Sequence, residues 1–404
     1  MNQRYYSLDV FRGATVCLMI LVNNPGSSHV YPPLEHAPWH GLTPTDLVFP
    51  FFLFAVGTAM SFVMPKLQAG GDRVFWKKVI TRTLLIYGIG LFLTWWPFVK
   101  WEGSHLVFKP WAYIDDKGIP RGVRTVGVLA RIAFCYFFAS VIIYYLKPKG
   151  AFYTGLLLLL LYWALCYLLG DQNDPYSMTG WFGNSVDKAV LQEYHMYHGE
   201  EFQGKPYPFD PEGIMSTLSA IVQVIFGYFV GNYIQKKKQE PDLPGDGKNF
   251  EMLSGLFVTG IGFAIAGLCW GTVFPVNKKI WTSSYTLYTT GLAILIIATM
   301  IYFMEFKNKR GWLARFFDVF GKNALFVFAL SALIPKLLWL IRIPDGVKDG
   351  KQLYTDPWRA YYKYVCAKIP GDPRIGSLAF AISFILFMWF ICWWMDKKKI
   401  YVKV

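Results

Sequence analysis

The chain has 404 residues, of which 54% are hydrophobic, 19% aromatic and 16% charged, and its mean hydropathy is positive. Soluble globular domains carry charge on about 25% of their residues, so this composition excludes one and indicates a polytopic membrane protein. The net charge of +14 does not point to nucleic acid, because Lys and Arg gather between the apolar segments, where they act as topology signals.

Apolar segments long enough to cross about 30 Å of hydrocarbon are predicted near 6–24, 44–64, 79–98, 126–146, 151–169, 214–234, 250–271, 284–304, 316–340 and 375–395. Backbone groups in lipid must be satisfied within their own segment. The predicted fold is therefore an all-α bundle of about ten transmembrane helices, one domain over 1–404. Connections 66–82, 147–150, 236–248 and 305–315 and the tail 397–403 are basic, whereas the first opposite loop, Pro25–Thr43, holds no Lys or Arg. The positive-inside rule then predicts that both termini are cytoplasmic and that His36 lies on the outer side. No small-x-small cleavage site follows the first segment, which is expected to stay as a helix. The six cysteines (Cys17, Cys135, Cys166, Cys269, Cys366, Cys392) sit in or beside apolar runs without a CxxC pair and read as packing residues.

In chain order, Asp9 and Arg12 lie three residues apart on one face of the first segment, near its cytoplasmic end, where they can pair. Asn23 and Asn24 close that segment on the outer side. The loop that follows holds His36, with Trp39, His40, Pro38 and Gly41 around it, and it runs at once into an apolar helix. A solvated loop histidine is the ordinary case. His36 departs from it through the asparagines before it, which are able to orient an acyl group. His36 and His40 have the spacing of a metal pair only in a helix, which Pro38 opposes, so no metal is expected. Asp46 opens the second segment, where a carboxylate suits the helix dipole; capping and function both remain open there.

Arg131 lies inside an apolar run and needs an anionic partner; Asp9, Glu305 and a ligand phosphate are the alternatives, with an expected place in the cytoplasmic half. Asp210, Pro211 and Glu212 read as a helix start. In 274–287, Asn277, Lys278, Trp281, Ser284 and Tyr285 enter the eighth segment; an aromatic belt accounts for Trp281 and Tyr285 but not for the polar groups. Glu305, Asp318, Lys322 and Asn323 gather toward the cytoplasmic side.

Several of these runs have a family likeness. SLDVFRG at 7–13, VN at 22–23, HAPWHGLTPTDLVFPFFLFAVG at 36–57, GVLARIAFCY at 127–136, DPEG at 210–213, FPVNKKIWTSSY at 274–285 and GKNAL at 321–325 stand in order along most of the chain. The sequence resembles the transmembrane acetyltransferases of the heparan-alpha-glucosaminide N-acetyltransferase family, including its bacterial NagX-like members. The resemblance implies transfer of acetyl from cytosolic acetyl-CoA, across the membrane, to the amine of a terminal glucosamine. It implies a catalytic role for His36, which stands in the family's H-A-x-W-x-G-x-T-x-x-D-L-V-F-P motif, and for Asn23, which follows the valine closing the first segment. A bacterial inner-membrane location is expected, and a homodimer is an arrangement the family raises. The large lumenal N-terminal domain of animal members has no expected counterpart, and animal-type substrate choice is not carried over with the rest.

His36 is expected to act as general base, or to carry acetyl in a ping-pong route, with Asn23 donating to the thioester carbonyl. Arg12, Arg131, Asp9 and Asn323 are candidates for holding acetyl-CoA; Asp46, Glu212, Asn277, Lys278, Trp281 and Tyr285 are candidates for the aminosugar or glucosamine-terminated oligosaccharide. Two other classes stay open: an aminosugar transporter, and an O-acyltransferase of an envelope polysaccharide.

Overall fold

The computed structural model describes residues 5–241, 247–348 and 351–402; the parts of two basic connections that fall at 242–246 and 403–404 lie outside them. The helices are α1 (Tyr6–Asn23), α2 (Val48–Trp95), α3 (Val128–Leu169), α4 (Phe182–Leu191), α5 (Thr217–Gln239), α6 (Gly247–Trp270), α7 (Ser283–Ile301), α8 (Trp312–Lys322), α9 (Ala324–Leu338), α10 (Pro357–Tyr364) and α11 (Pro373–Lys397). Seven of them are long and apolar enough to cross a bilayer, and α8 with α9, bent by 81° at Asn323, makes an eighth span if counted as one.

The predicted segments map onto these helices, but two pairs are joined. Segments 44–64 and 79–98 fall within α2, and 126–146 and 151–169 within α3. Each long helix breaks where the sequence gives it reason to. Gly71 sits at φ 74, a conformation that costs glycine little, and Lys147 at φ 58 precedes Pro148, which disfavours helix at the residue before it.

Contacts show that both breaks are fold-backs. Ser140 donates to Met60 Sδ at 3.1 Å while Arg82 lies 4.7 Å over Tyr136, one turn away on α3. A straight α2 would separate residues 60 and 82 by about 33 Å. Likewise Arg131 lies 5.1 Å over Trp281 and the Tyr162 hydroxyl donates to Ile280 O at 2.5 Å, although a straight α3 would hold residues 131 and 162 about 46 Å apart.

Packing is tightest where small residues let backbones meet, the usual means of helix association in lipid. A Cβ on Gly57 would stand 2.1 Å from Val224 O, and one on Gly227 would stand 2.2 Å from Phe54 O, so α2 and α5 touch backbone to backbone. Between α1 and α8 the same holds: a Cβ on Gly321 would meet Asp9 O at 2.0 Å.

The connections at one end are not plain loops, as an all-α fold would have them. Four two-stranded antiparallel hairpins, Val99–Glu102 with His105–Phe108, Ala112–Ile114 with Pro120–Gly122, Glu200–Phe202 with Lys205–Tyr207, and Ile343–Lys348 with Lys351–Thr355, extend from it among the described residues. That end also gathers the first residues of α2, α3, α5 and α7, together with His36. The opposite end holds the start of α1, the breaks at Gly71 and Lys147, and the basic last turns of α5 and α11.

Candidate functional site

A cavity of about 220 Å³ opens at the His36 end, where Trp39, Arg124, Tyr197, Glu212, Lys278 and Trp281 are among its walls. Its central feature is made by a turn. Thr43, Pro44, Thr45 and Asp46 form a capping box ahead of α2, in which Asp46 Oδ2 accepts from the amides of Thr43 (3.1 Å) and Ala37 (3.0 Å) and from Thr43 Oγ1 (3.1 Å). Its other oxygen, Oδ1, faces His36 Nδ1 at 2.7 Å. Asp46 is buried, whereas about half of the His36 side chain is exposed. Tyr285 fixes the turn from below, donating to Asp46 O at 2.6 Å.

This geometry sets the histidine tautomer. A carboxylate only accepts, so Nδ1 carries the proton and Nε2 presents its lone pair to the cavity. Asp46 is thus both the helix cap and the group that orients His36, and it contributes to the wall of the cavity behind the ring. Lys278 Nζ lies 3.0 and 3.4 Å from the ring's Nδ1 and Nε2 and 3.5 Å from Asp46 Oδ1, placing a cation along the ring edge. Burial lowers the Lys278 pKa, with Asp46 and Glu212 opposing that shift.

The far wall is a charge cluster. Arg124 pairs bidentately with Asp210 (2.8 and 2.5 Å) and also contacts Glu212. Burial pushes the Glu212 carboxyl up, but Arg124 and Arg131 outweigh it and hold the group below its ordinary value. Lys279 pairs with Glu200 at 2.6 Å and lies 5.8 Å from the Trp39 ring, whose Nε1 donates to Tyr176 O. Beneath the Asp210–Gly213 turn, buried Asp187 accepts from the Ile214 amide at 2.8 Å through Oδ1, while Oδ2 has no hydrogen-bond partner among the described residues. Burial pushes its pKa up to about 7.

Of the residues singled out from sequence, His36, Asp46, Glu212, Lys278 and Trp281 come together here. Asn277 and Tyr285 stand behind the wall as scaffold. Asn277 Oδ1 accepts from the Ile280 amide at 3.1 Å, its Nδ2 lies 3.2 Å from His40 Nδ1, and it is fully buried. Asn23 ends α1 exposed, and its amide side chain has no hydrogen-bond partner among the described residues.

Arg131 is a correction. It does not lie with Arg12, Asp9 or Glu305, because it begins α3 at the His36 end. There it is fully buried, donates to Gly213 O at 3.0 Å and to Ser216 Oγ, and lies over Trp281. At the opposite end Arg12 donates to Asp9 (3.2 Å) and to Gly321 O (3.3 Å), while Glu305 accepts from the Ser7 amide at 3.0 Å. Asn323 secures the chain's own tail, donating to Ile400 O at 3.1 Å and accepting from the Val402 amide at 2.9 Å.

Sequence reasoning missed Arg124, Lys279, Glu200, Tyr197 and Asp187. Arg124 carried a signal: it is an arginine at the mouth of an apolar segment on the side where the positive-inside rule expects few.

Residues 4–195 match the family model described as heparan-alpha-glucosaminide N-acetyltransferase, catalytic, a stretch that includes His36, Asp46 and Arg124 but not Glu212 or Lys278. The human heparan-alpha-glucosaminide N-acetyltransferase is 26% identical over 368 residues, covering 80% of this chain and 52% of its own. The mouse protein of that name is 25% identical over 368 residues, covering 80% of this chain and 53% of its own. The chain thus spans about half the length of these curated relatives, and the resemblance expected from its motifs is borne out.

Proposed function

We propose that this relative of the heparan-alpha-glucosaminide N-acetyltransferase family is a transmembrane acetyltransferase that moves acetyl from acetyl-CoA to the amine of a glucosamine-type sugar, with His36 as general base. The observation that carries this is the buried Asp46 behind His36, which leaves Nε2 as a lone-pair nitrogen facing a cavity. An amine must be neutral to attack a thioester, and an imidazole with a free lone pair suits its deprotonation.

In the proposed step the neutral amine nitrogen attacks the thioester carbonyl carbon and the C–S bond then breaks. His36 Nε2 takes the proton shed by nitrogen and returns it to the departing thiolate, so free thiol and amide are the products. Asp46 keeps the imidazole oriented and stabilises its charged form. Lys278 and the amide of Asn23 are the groups we assign to the developing oxyanion, a contribution of roughly 3 kcal/mol for one good donor. Glu212, with Trp281 and Trp39, would line the acceptor side. The cavity is smaller than the ~300–1,000 Å³ of a typical drug-sized pocket, which suits the reacting ends of the two substrates and not the whole of coenzyme A.

With each fold-back counted as two crossings and α8–α9 as one, the bundle would cross ten times with both termini cytoplasmic, in a bacterial inner membrane. Arg12 and Asp9 would then face the coenzyme's side. A ping-pong route through acetylated His36 uses the same geometry. The decisive measurement is thiol release from acetyl-CoA in the presence of glucosamine: wild type should release thiol and His36→Ala should lose nearly all of it. Undiminished release from His36→Ala would refute the assignment, and uptake of glucosamine into vesicles without thiol release would favour a transporter. Release of thiol with hydroxyl acceptors, without preference for an amine, would favour O-acylation. A stable acetyl adduct on His36 in the absence of sugar would select the ping-pong route.

A further inference from the structure

The basic end of the bundle carries a second cavity, of about 540 Å³, between α8 and α11. Its mouth has two arginines and its wall is aromatic. Phe316 stacks on Trp389 with ring centroids 5.5 Å apart and planes at 7°, and Trp389 stacks in turn on Trp393. Arg310 shares part of its charge with Glu305 at 3.4 Å. Arg315 is exposed, and its guanidinium has no ion pair or hydrogen bond among the described residues.

The helix that frames this cavity leaves part of its apolar surface uncovered. α8 is bent by 81° from α9; it buries Ala314, Val319, Phe320 and Gly321 and leaves Trp312 78% and Leu313 49% exposed. Exposed Trp beside Arg is the pattern of a membrane interface, where an indole sits at headgroup depth and cations meet lipid phosphate. Lys397, 4.9 Å over the Trp393 ring, adds positive charge beside the aromatic wall.

We propose that this cavity holds the headgroup of an anionic phospholipid from the leaflet at the basic end, its phosphate between Arg310 and Arg315 and its first methylenes along Phe316, Trp389 and Trp393. Inorganic phosphate would satisfy the arginines but leave the aromatic wall bare and most of the volume unfilled. A zwitterionic lipid brings its own cation to a rim already rich in them. Charge complementarity therefore selects a net-negative headgroup. This site is separate from the His36 cavity and does not depend on the acyl-transfer proposal.

The test uses the full chain in detergent, loaded with equal phosphatidylglycerol and phosphatidylcholine, washed, and weighed by native mass spectrometry. Wild type should retain phosphatidylglycerol preferentially, and Arg315→Gln should reduce that retention by about fivefold, the effect of one cation near a lipid surface. Arg315→Lys should restore most of it. Retention by wild type should also fall as salt is raised, a measurement that needs no variant. Equal retention of the two lipids, indifference to salt, or unchanged retention in a monodisperse Arg310→Gln, Arg315→Gln double variant would overturn the proposal. So would displacement of the lipid by millimolar inorganic phosphate or adenosine 3′,5′-bisphosphate, which would assign the arginines to a soluble ligand.

Discussion

Asp46 is a residue whose position argues for more than its type. An Asp at a helix start is ordinarily a cap, and this one caps, yet its second oxygen is spent on His36 Nδ1. Asp46→Asn would keep the amide contacts through the remaining oxygen but offer an N–H to Nδ1, driving the imidazole proton onto Nε2 and removing the base. Thiol release should fall roughly 10²- to 10⁴-fold with little change in KM for acetyl-CoA; a variant with normal turnover would leave Asp46 a cap alone. Asp187 gives a pH signature of a different kind. Its pKa, raised by burial to about 7, means that the folded chain holds this proton above the unfolded value near 3.9, so this group's contribution to stability is fully present below about pH 4 and is lost as pH rises through 7. Asp187→Asn should flatten that decline, an effect on the order of 4 kcal/mol at pH 8, visible as a melting temperature that no longer drops between pH 5 and pH 8. His36 was legible in sequence because it stands in a loop between apolar runs. The cations around it were not, since Lys278 and Arg124 are brought to the ring and to Glu212 by four different helix starts, a convergence no local pattern records.

At the scale of elements, apolar length predicted nearly every helix, because the bilayer demands a fixed number of residues and hides no long-range partner in that demand. Joining was harder to see. Gly71 and Lys147–Pro148 permit a turn so tight that helix resumes at once, and the expected polar loop shrinks to a break inside a continuous run. The hairpins among the connections were missed for the complementary reason: strands of three to six residues, half-exposed and set by turns, have too little period to stand out beside the spans. What the glycines do in the packed elements is checkable. Gly57→Ala would push a methyl into the α5 backbone at Val224, and relief requires moving a whole helix. We expect a loss of about 1–3 kcal/mol in stability, read as a lower melting temperature in detergent, with exposed Gly262→Ala on α6 as a control that loses nothing, because nothing lies within 4 Å of its added carbon and alanine favours helix.

For the whole molecule, the separation of its two polar ends is what gives a transmembrane reaction its logic. α1, with 18 residues, is about 27 Å long, and about 21 Å of it separates Asp9, near its start, from Asn23 at its end. A donor with a charged nucleotide and a distant thioester would meet one end with each part, provided the ends face opposite compartments. One native residue tests that provision. The other five cysteines are buried, but Cys269 is exposed near the close of α6, at the end that holds His36, so it is not a packing residue. In intact cells a membrane-impermeant maleimide should therefore label the unmodified protein, and Cys269→Ser should abolish the labelling. In the Cys269→Ser chain, a cysteine placed at Lys399, on the tail after α11, should react only after the membrane is opened. Labelling of Lys399→Cys in sealed cells would invert the bundle and put His36 with the cytosolic coenzyme, turning a reaction across the membrane into one on a single side of it.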